Sequence, residues 1–357
     1  MSTNLQLRYR EDELLADHDI AEPLFAGGVR CHGGFTADGT YVSPRTKHRV
    51  PATNAWQHAH REQFGTEILG APMEVFPEPY PNVAQSKYLL ENGVRDPVVT
   101  SLTRIGTVEG FGSMIRAVGV GDMQRFFDES IDGTCTQHLQ HGLFEAQARD
   151  EAGHEDQAGH KQMWFAARDI AFEHPVTEDE TQRMLERMGI VPPGGAAPNA
   201  EAMRKAAEAL RRFPDIDLGL EMMLRRMISL LFIEVSAFHT FAWAEAVLSD
   251  ADLVAGDGEA ATLVRYIRAD ETPHVDYLRT ALTEMRDRTF VGESGRKLPG
   301  TEVIGTLWDM LLADSLGTRR DALVKTTLAE VEYALEGHSR RDAILEGFHE
   351  QGSVTVR

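Results

Sequence analysis

The sequence predicts an all-α fold built around four long helices, and three observations carry that prediction. The motif Asp-Glu-x-x-His occurs twice, at Asp150-Glu151-Ala152-Gly153-His154 and at Asp270-Glu271-Thr272-Pro273-His274. On a helix, a Glu and a His three residues apart share one face. The segment 259–288 carries one inward stripe: Leu263, Ile267, Glu271, His274, Leu278, Leu282 and Met285. Glu271 and His274 stand mid-stripe, where apolar residues are expected. Two further helical segments each hold an isolated acid, Glu109 between Asp96 and Asp122 and Glu234 between Glu221 and Glu245. Four acids and two imidazoles at matching depths point to a dinuclear metal site inside a bundle.

Composition narrows the alternatives. The chain of 357 residues is 42% apolar, which is enough for a large core. No repeat of 20–50 residues recurs, so a solenoid is not expected. A net charge of −20 argues against nucleic acid or an anionic membrane surface as partner. Only Cys31 and Cys135 are present, too few for a disulfide framework or a thiolate site. Cys135 reads as a small buried residue. The first ten residues are polar and charged, without the apolar core of a signal peptide, and a cytoplasmic location is expected. The most apolar run, Met227 to Leu248, contains Glu234, His239 and Glu245 and reads as a buried helix rather than a membrane span.

Residues 1–95 read as an irregular N-terminal extension wrapped on the main domain, forming part of a substrate cover or subunit contact. A hairpin is expected from Phe35 to Val42 around Asp38-Gly39, a helix from Gln57 to Gly65, and a proline-rich crossing from Pro72 to Pro81. No chemical motif stands out there. Residues 96–290 read as the metal-binding bundle. Its helices are expected over Val98 to Val118, Asp122 to Ser130, 135–173, Leu218 to Ser249 and 259–288. Thr177 to Met188 and Asn199 to Phe213, joined through Pro192-Pro193-Gly194-Gly195, form a long crossover. Residues 291–357 read as C-terminal helices packed on the bundle, near 301–315 and 319–336, with an end that frays from Gly352.

The candidate ligands are Glu109, Glu151, His154, Glu234, Glu271 and His274. This oxygen-rich set suits two divalent ions of the iron or manganese kind, a mixed pair included, whereas zinc would use more His or Cys. Asp150 and Asp270 are placed to accept a proton from the ligating imidazole of the opposite helix. Glu155 is a possible extra ligand, with a solvent-facing acid as the alternative. Glu129 is a rival to Glu109, weakened by its proximity to a turn. His160 and His239 fall off the ligand face of a continuous helix, and His138 and His141 read as surface residues. Gly106, Gly110 and Gly112 around Glu109 indicate close packing or space left beside it. A buried salt-bridge network using Arg104, Arg116 and Arg268 is the metal-free alternative.

The order Glu…Asp-Glu-Ala-Gly-His…Glu…Asp-Glu-Thr-Pro-His resembles the ferritin-like, ribonucleotide-reductase-like di-iron carboxylate proteins. These include monooxygenase hydroxylases, acyl-carrier-protein desaturases, arylamine N-oxygenases and ribonucleotide reductase small subunits. The resemblance covers about residues 96–290. It implies a ferritin-like four-helix bundle with a long crossover, and two iron ions held by the six residues named. It also implies O2 as co-substrate, an external electron donor and a homodimer. The expected activity is hydroxylation, N-oxygenation or desaturation of a small or lipid-like organic substrate. A ferroxidase or iron-handling protein and a radical-generating reductase-like subunit are the alternatives. The radical-generating members place a tyrosine one turn beyond the first ligand, where this chain has Ser113, and many oxygenases place a threonine where it has Ala237 and Phe238. A substrate pocket is expected on the Glu109 side, with Phe111, Met114 or Phe238 among its walls.

Overall fold

A computed structural model describes residues 5–173, 175–190 and 200–352, and these are mostly helical. The extension opens with α1 (Glu11–Leu14). A three-stranded antiparallel sheet follows: β1 (Glu22–Ala26), β2 (Val29–Phe35) and β3 (Tyr41–Val42). The Phe35–Tyr41 pair closes the hairpin expected at Asp38-Gly39. Next come α2 (Arg49–Phe64), which begins earlier than Gln57, and α3 (Val83–Glu91).

The central helices are α4 (Asp96–Gly112), α5 (Cys135–His138), α6 (Phe144–Ala152) and α7 (His160–Phe172). The crossover carries α8 (Glu178–Arg187) and α9 (Ala200–Leu210), and the long α10 (Leu218–Leu248) and α11 (Glu259–Arg286) follow. Pro97 opens α4, where a missing N–H costs nothing. Asp217 caps α10 by accepting the Leu220 N–H at 3.0 Å. The expected linker Pro192–Gly195 and the fraying end beyond Gly352 lie outside the described residues.

Two expected helices differ. Asp122 to Ser130 forms only a 3-10 turn at Met123–Phe126. The single helix expected over 135–173 is three pieces, kinked at Gly142 (φ +122°) and interrupted from Gly153 to Gly159. After α11 a short hairpin, β4 (Thr289–Val291) with β5 (Lys297–Pro299), leads to α12 (Gly300–Asp314), α13 (Arg320–Ala334) and α14 (Arg341–Gly352).

Helix α10 packs along α11, α11 along α7, and α4 along both α7 and α6. Helix α10 is long and apolar enough to cross a membrane, but here most of its apolar side chains are buried in the protein core. The core falls into two large apolar clusters. One takes α10 up to Val235 and α11 from Tyr277; the other takes α10 from Ala237 and α11 up to Ile267. Glu234, Glu271 and His274 fall at the boundary between them. The acids therefore sit inside the protein, with apolar packing at both ends.

Candidate metal centre

Glu109 lies in the last turn of α4, Glu151 in the last turn of α6 and Glu234 mid-way along α10. Glu271 and His274 lie one turn apart on α11. The five are brought together, and none exceeds 7% exposure. His154 is not with them. It stands in the 153–159 interruption, its side chain 38% exposed and 3.7 Å from the exposed Glu155. His160, the first residue of α7 and fully buried, takes the position instead.

The glycines explain the exchange. Gly153 adopts φ +85°, open to glycine, and ends α6. His154 and Gln157 then exchange backbone hydrogen bonds at 3.0 Å, closing a tight turn in which Glu155 has φ +54°. Gly159 returns so close that a Cβ there would lie 2.5 Å from the Asp150 carbonyl oxygen and would also strike the Gly153 nitrogen. The chain thus leaves α6 and re-enters almost where it left, and the excursion 153–158 is six residues. Since 160 − 151 = 9 and 9 − 6 = 3, His160 stands where the third residue after Glu151 belongs. The signal was present: Ala-Gly-His occurs at 152–154 and again at 158–160, and the second copy supplies the histidine. Glu155, the possible extra ligand, is carried away by the same excursion.

Two sets of donor atoms each lie within 4.8 Å of one another: Glu151, His160, Glu271 and His274, and Glu109, Glu151, Glu234 and Glu271. They share Glu151 and Glu271. His160 Nδ1 is 3.1 Å from Glu151 Oε2 and 2.8 Å from Glu271 Oε1. His274 Nδ1 is 2.8 Å from Glu271 Oε2 and 3.4 Å from Glu151 Oε1. The opposite nitrogens face aspartates: His274 Nε2 lies 2.9 Å from Asp150 Oδ2, and His160 Nε2 lies 3.7 Å from Asp270 Oδ2. Asp150 thus faces the imidazole of the second motif, and Asp270 faces His160, which stands in for the histidine of the first.

The surrounding partners come from residues 1–95, which carry no legible motif. Arg45 Nε donates to Asp150 Oδ1 at 2.7 Å and Arg49 Nη2 to Asp150 Oδ2 at 2.7 Å. His32 Nε2 lies 2.9 Å from Asp270 Oδ2, and the Tyr41 hydroxyl donates to the same oxygen at 3.0 Å. Within the bundle, Gln147 Nε2 donates to Glu234 Oε1 at 2.6 Å, and the buried Tyr277 hydroxyl donates to Gln147 Oε1.

Electrostatics follow from this burial. Burial first, then the charges of Glu271 and Glu151, push the Glu109 and Glu234 carboxyls well above the usual range. Burial opposes charge on His160 and His274 as well. Glu271 outweighs it at both, helped by Glu151 at His160 and Asp150 at His274, and both imidazoles are held well above their ordinary value. At Asp150 the guanidinium groups of Arg45 and Arg49 outweigh burial and hold the carboxyl well below its usual range. At Asp270 burial is outweighed by His160 and His32.

These residues fit a metal pair. Among the described residues no Arg or Lys forms an ion pair with Glu109, Glu151, Glu234 or Glu271. Four carboxylates are left with two imidazoles as their only cationic partners, and Glu271 Oε1 makes no aligned hydrogen bond. His274, whose Nε2–H donates to Asp150, presents a lone pair at Nδ1, and that Nδ1 points at carboxylate oxygens. Lone pair against anion is repulsive without a proton or a cation between them. The arginine alternative does not form: Arg104 bonds Thr327, Arg116 pairs with Glu145 and Arg268 with Glu245. Glu129, the rival acid, instead accepts the Thr289 N–H at 2.7 Å. His138 is buried, stacked on Trp56, rather than at the surface.

The expected pocket lies elsewhere on α4. Phe111 and Met114 are exposed, and the glycines are filled from outside. A Cβ on Gly106 would lie 2.9 Å from Phe165 and Trp164, and one on Gly112 would lie 2.8 Å from Glu151 Cγ. A cavity of about 360 Å³ instead occupies the space between α4 and α10, walled by Ile105, Val108, Phe232, Ile233, Trp243 and Leu311. Val108 and Ile233 are the chain neighbours of Glu109 and Glu234, so the cavity lies at the depth of the carboxylates along both helices.

No family model, curated protein or solved structure matches the chain. What the chain can do is therefore read from its own residues.

Proposed function

We propose that this protein is a ferritin-like, di-metal oxidoreductase that uses O2 to oxidise an organic substrate. The observation that carries the reading is the pair of donor sets sharing Glu151 and Glu271, which together could hold two ions side by side. Glu109, Glu151, His160, Glu234, Glu271 and His274 would hold the ions, and the oxygen-rich set favours iron or manganese over zinc. Such a pair supplies the electrons and open coordination positions that O2 reduction needs, with an external donor restoring them.

The chain's own contribution is positional. Asp150 holds a proton on Nε2 of His274, leaving its Nδ1 lone pair directed inward. Asp270 faces Nε2 of His160 at 3.7 Å, near enough to favour the same orientation by charge without a direct hydrogen bond. Gln147, itself held by Tyr277, fixes the Glu234 carboxylate. Phe232, Ile233 and Trp243 give the cavity at that depth an apolar wall. Burial of the six residues is shared with an iron-handling site, but a largely apolar cavity at their depth, walled by the neighbouring Val108 and Ile233, serves an organic molecule rather than a hydrated ion.

The test is anaerobic loading with Fe(II), then rapid mixing with O2. A fixed uptake of O2 set by about two irons per chain, with an optical change that ends there, is expected. Continued O2 consumption driven by excess Fe(II) would assign the protein to iron handling.

A further inference from the structure

The cavity between α4 and α10 carries one feature that its apolar walls do not explain. Arg104, on α4 five residues before Glu109, reaches into it. Its described partner is the Thr327 hydroxyl, 3.0 Å from Nη1. Most of the buried arginines have acids: Arg45 and Arg49 share Asp150, Arg168 pairs with Asp169, and Arg225 with Glu221. Arg288, buried without an acid, donates instead to the Ser130 and Glu284 carbonyl oxygens at 3.2 and 2.8 Å. Arg104 has no acid within ion-pair distance among the described residues. Burial alone lowers its guanidinium to about 10, with no carboxylate offsetting it, and it remains a cation at neutral pH. A half-buried cation with a single hydroxyl partner has donors left over that an anion in the cavity would satisfy.

The other charges of the lining do not supply the anion. Arg319 is exposed and pairs with Asp314 at 2.6 Å, and Arg320 donates to the Glu78 carbonyl oxygen at 3.3 Å. Glu78 is the one acid in the lining, and its residue is exposed. Arg104 and Arg320, both half-buried, thus line the cavity without an acid partner among the described residues, and Arg104 is the one on α4, the helix of Glu109. The remaining lining is mostly apolar, with the hydroxyls of Ser101, Ser229, Ser236 and Thr240 among it. The α10 wall runs from Ser229 to Trp243, about 21 Å of helix at 1.5 Å per residue. At roughly 30 Å³ for each non-hydrogen atom, the volume takes about a dozen atoms.

We propose that this cavity binds an organic monocarboxylate with an elongated apolar body, its carboxylate paired with Arg104 and its body lying along α10. The assignment rests on the oxygenase reading for what becomes of the ligand, since it names that reaction's substrate class. The binding itself needs no metal. Along α4, Arg104 and Glu109 are separated by about 7.5 Å of rise. A carboxylate held at Arg104 thus leaves the apolar body, rather than the head group, at the depth of Glu109 and Glu234, whose neighbours Val108 and Ile233 form the wall between.

The test uses decanoate, decanol and decylamine as probes of one length and three charges. Binding to the full chain is followed by calorimetry and by the fluorescence of Trp243 in the cavity wall. Decanoate is expected to bind at least about tenfold more tightly than decanol, with decylamine weakest. Arg104→Met should remove that preference while leaving decanol unchanged, Arg104→Lys should keep part of it, and Arg319→Ala should leave it intact. Equal binding of decanoate and decanol by the unaltered protein overturns the proposal, as does an Arg104→Met variant that weakens both alike. If Arg104→Met does not fold, the ranking of the three probes on the unaltered protein decides. Metal content measured on the same preparations separates the two readings. Metals without decanoate binding remove only this assignment, and decanoate binding without metals removes only the oxygenase.

Discussion

His274 Nε2 lies 2.9 Å from Asp150 Oδ2, while Nδ1 of the same ring lies 2.8 Å from Glu271 Oε2. The ring thus links a charged outer acid to the inner carboxylates, and Arg45 and Arg49 anchor that outer acid. The two aspartates should consequently differ in what their loss costs.

Asp150→Ala leaves two buried guanidinium groups unpaired and should lower stability by about 3–5 kcal/mol. Asp270→Ala leaves His32, which burial holds toward its neutral form, and the Tyr41 hydroxyl, so the fold should survive with a smaller loss. Both should weaken metal affinity about ten- to a hundred-fold. Thermal melts with metal titrations check this; equal melting losses in the two variants would contradict the arginine assignment.

The excursion 153–158 is expected to be dispensable for the ligand set. Joining Ala152 to Gly159 leaves Asp-Glu-Ala-Gly-His, which an unbroken helix can present on one face. The deletion variant should retain metal, at some cost in stability, because Ala158 no longer hydrogen-bonds Arg30 and His32 in β2 at 2.8 and 3.0 Å. Metal analysis beside circular dichroism reads both effects, and a metal-free but folded deletion variant would count against the register.

Gly112 and the cavity wall should separate metal binding from substrate binding. Gly112→Ala puts a Cβ 2.8 Å from Glu151 Cγ and should displace that carboxylate, lowering metal content. Val108→Phe fills the cavity and should leave metal content intact while substrate oxidation falls. The reverse pattern, with metal lost only on filling the cavity, would move the site.

Metal affinity should rise with pH. Glu109 and Glu234 have raised carboxyl pKa values and His160 and His274 raised imidazole values, so each favours its protonated form in the metal-free protein. Each must lose that proton to ligate, so binding releases protons and weakens as pH falls. Calorimetry in buffers of different ionisation enthalpy counts the protons; binding without release would contradict the ligand set.

Much of the centre was legible because helical spacing is a local property. Glu271 and His274 interrupt an apolar stripe, and Glu109 and Glu234 are isolated acids, so both signals survive without tertiary information. His160 was hidden because nine residues of continuous helix place it opposite Glu151, and only the close return of Gly159 to Asp150 restores it. Arg45, Arg49, His32 and Tyr41 reach the centre from 101 to 238 residues away in sequence. No periodicity reports contacts of that range. The cavity was misplaced because the glycines beside Glu109 admit neighbouring side chains rather than a ligand.

The central claim is a dinuclear centre whose second histidine is His160. Metal content of the unaltered chain, His154→Ala and His160→Ala, all loaded with Fe(II) under the same anaerobic conditions, tests it most directly. Close to two ions per chain are expected for the unaltered protein and for His154→Ala, with a clear loss for a folded His160→Ala. Full metal content in His160→Ala together with loss in His154→Ala, or an unaltered protein that binds none, would contradict the account.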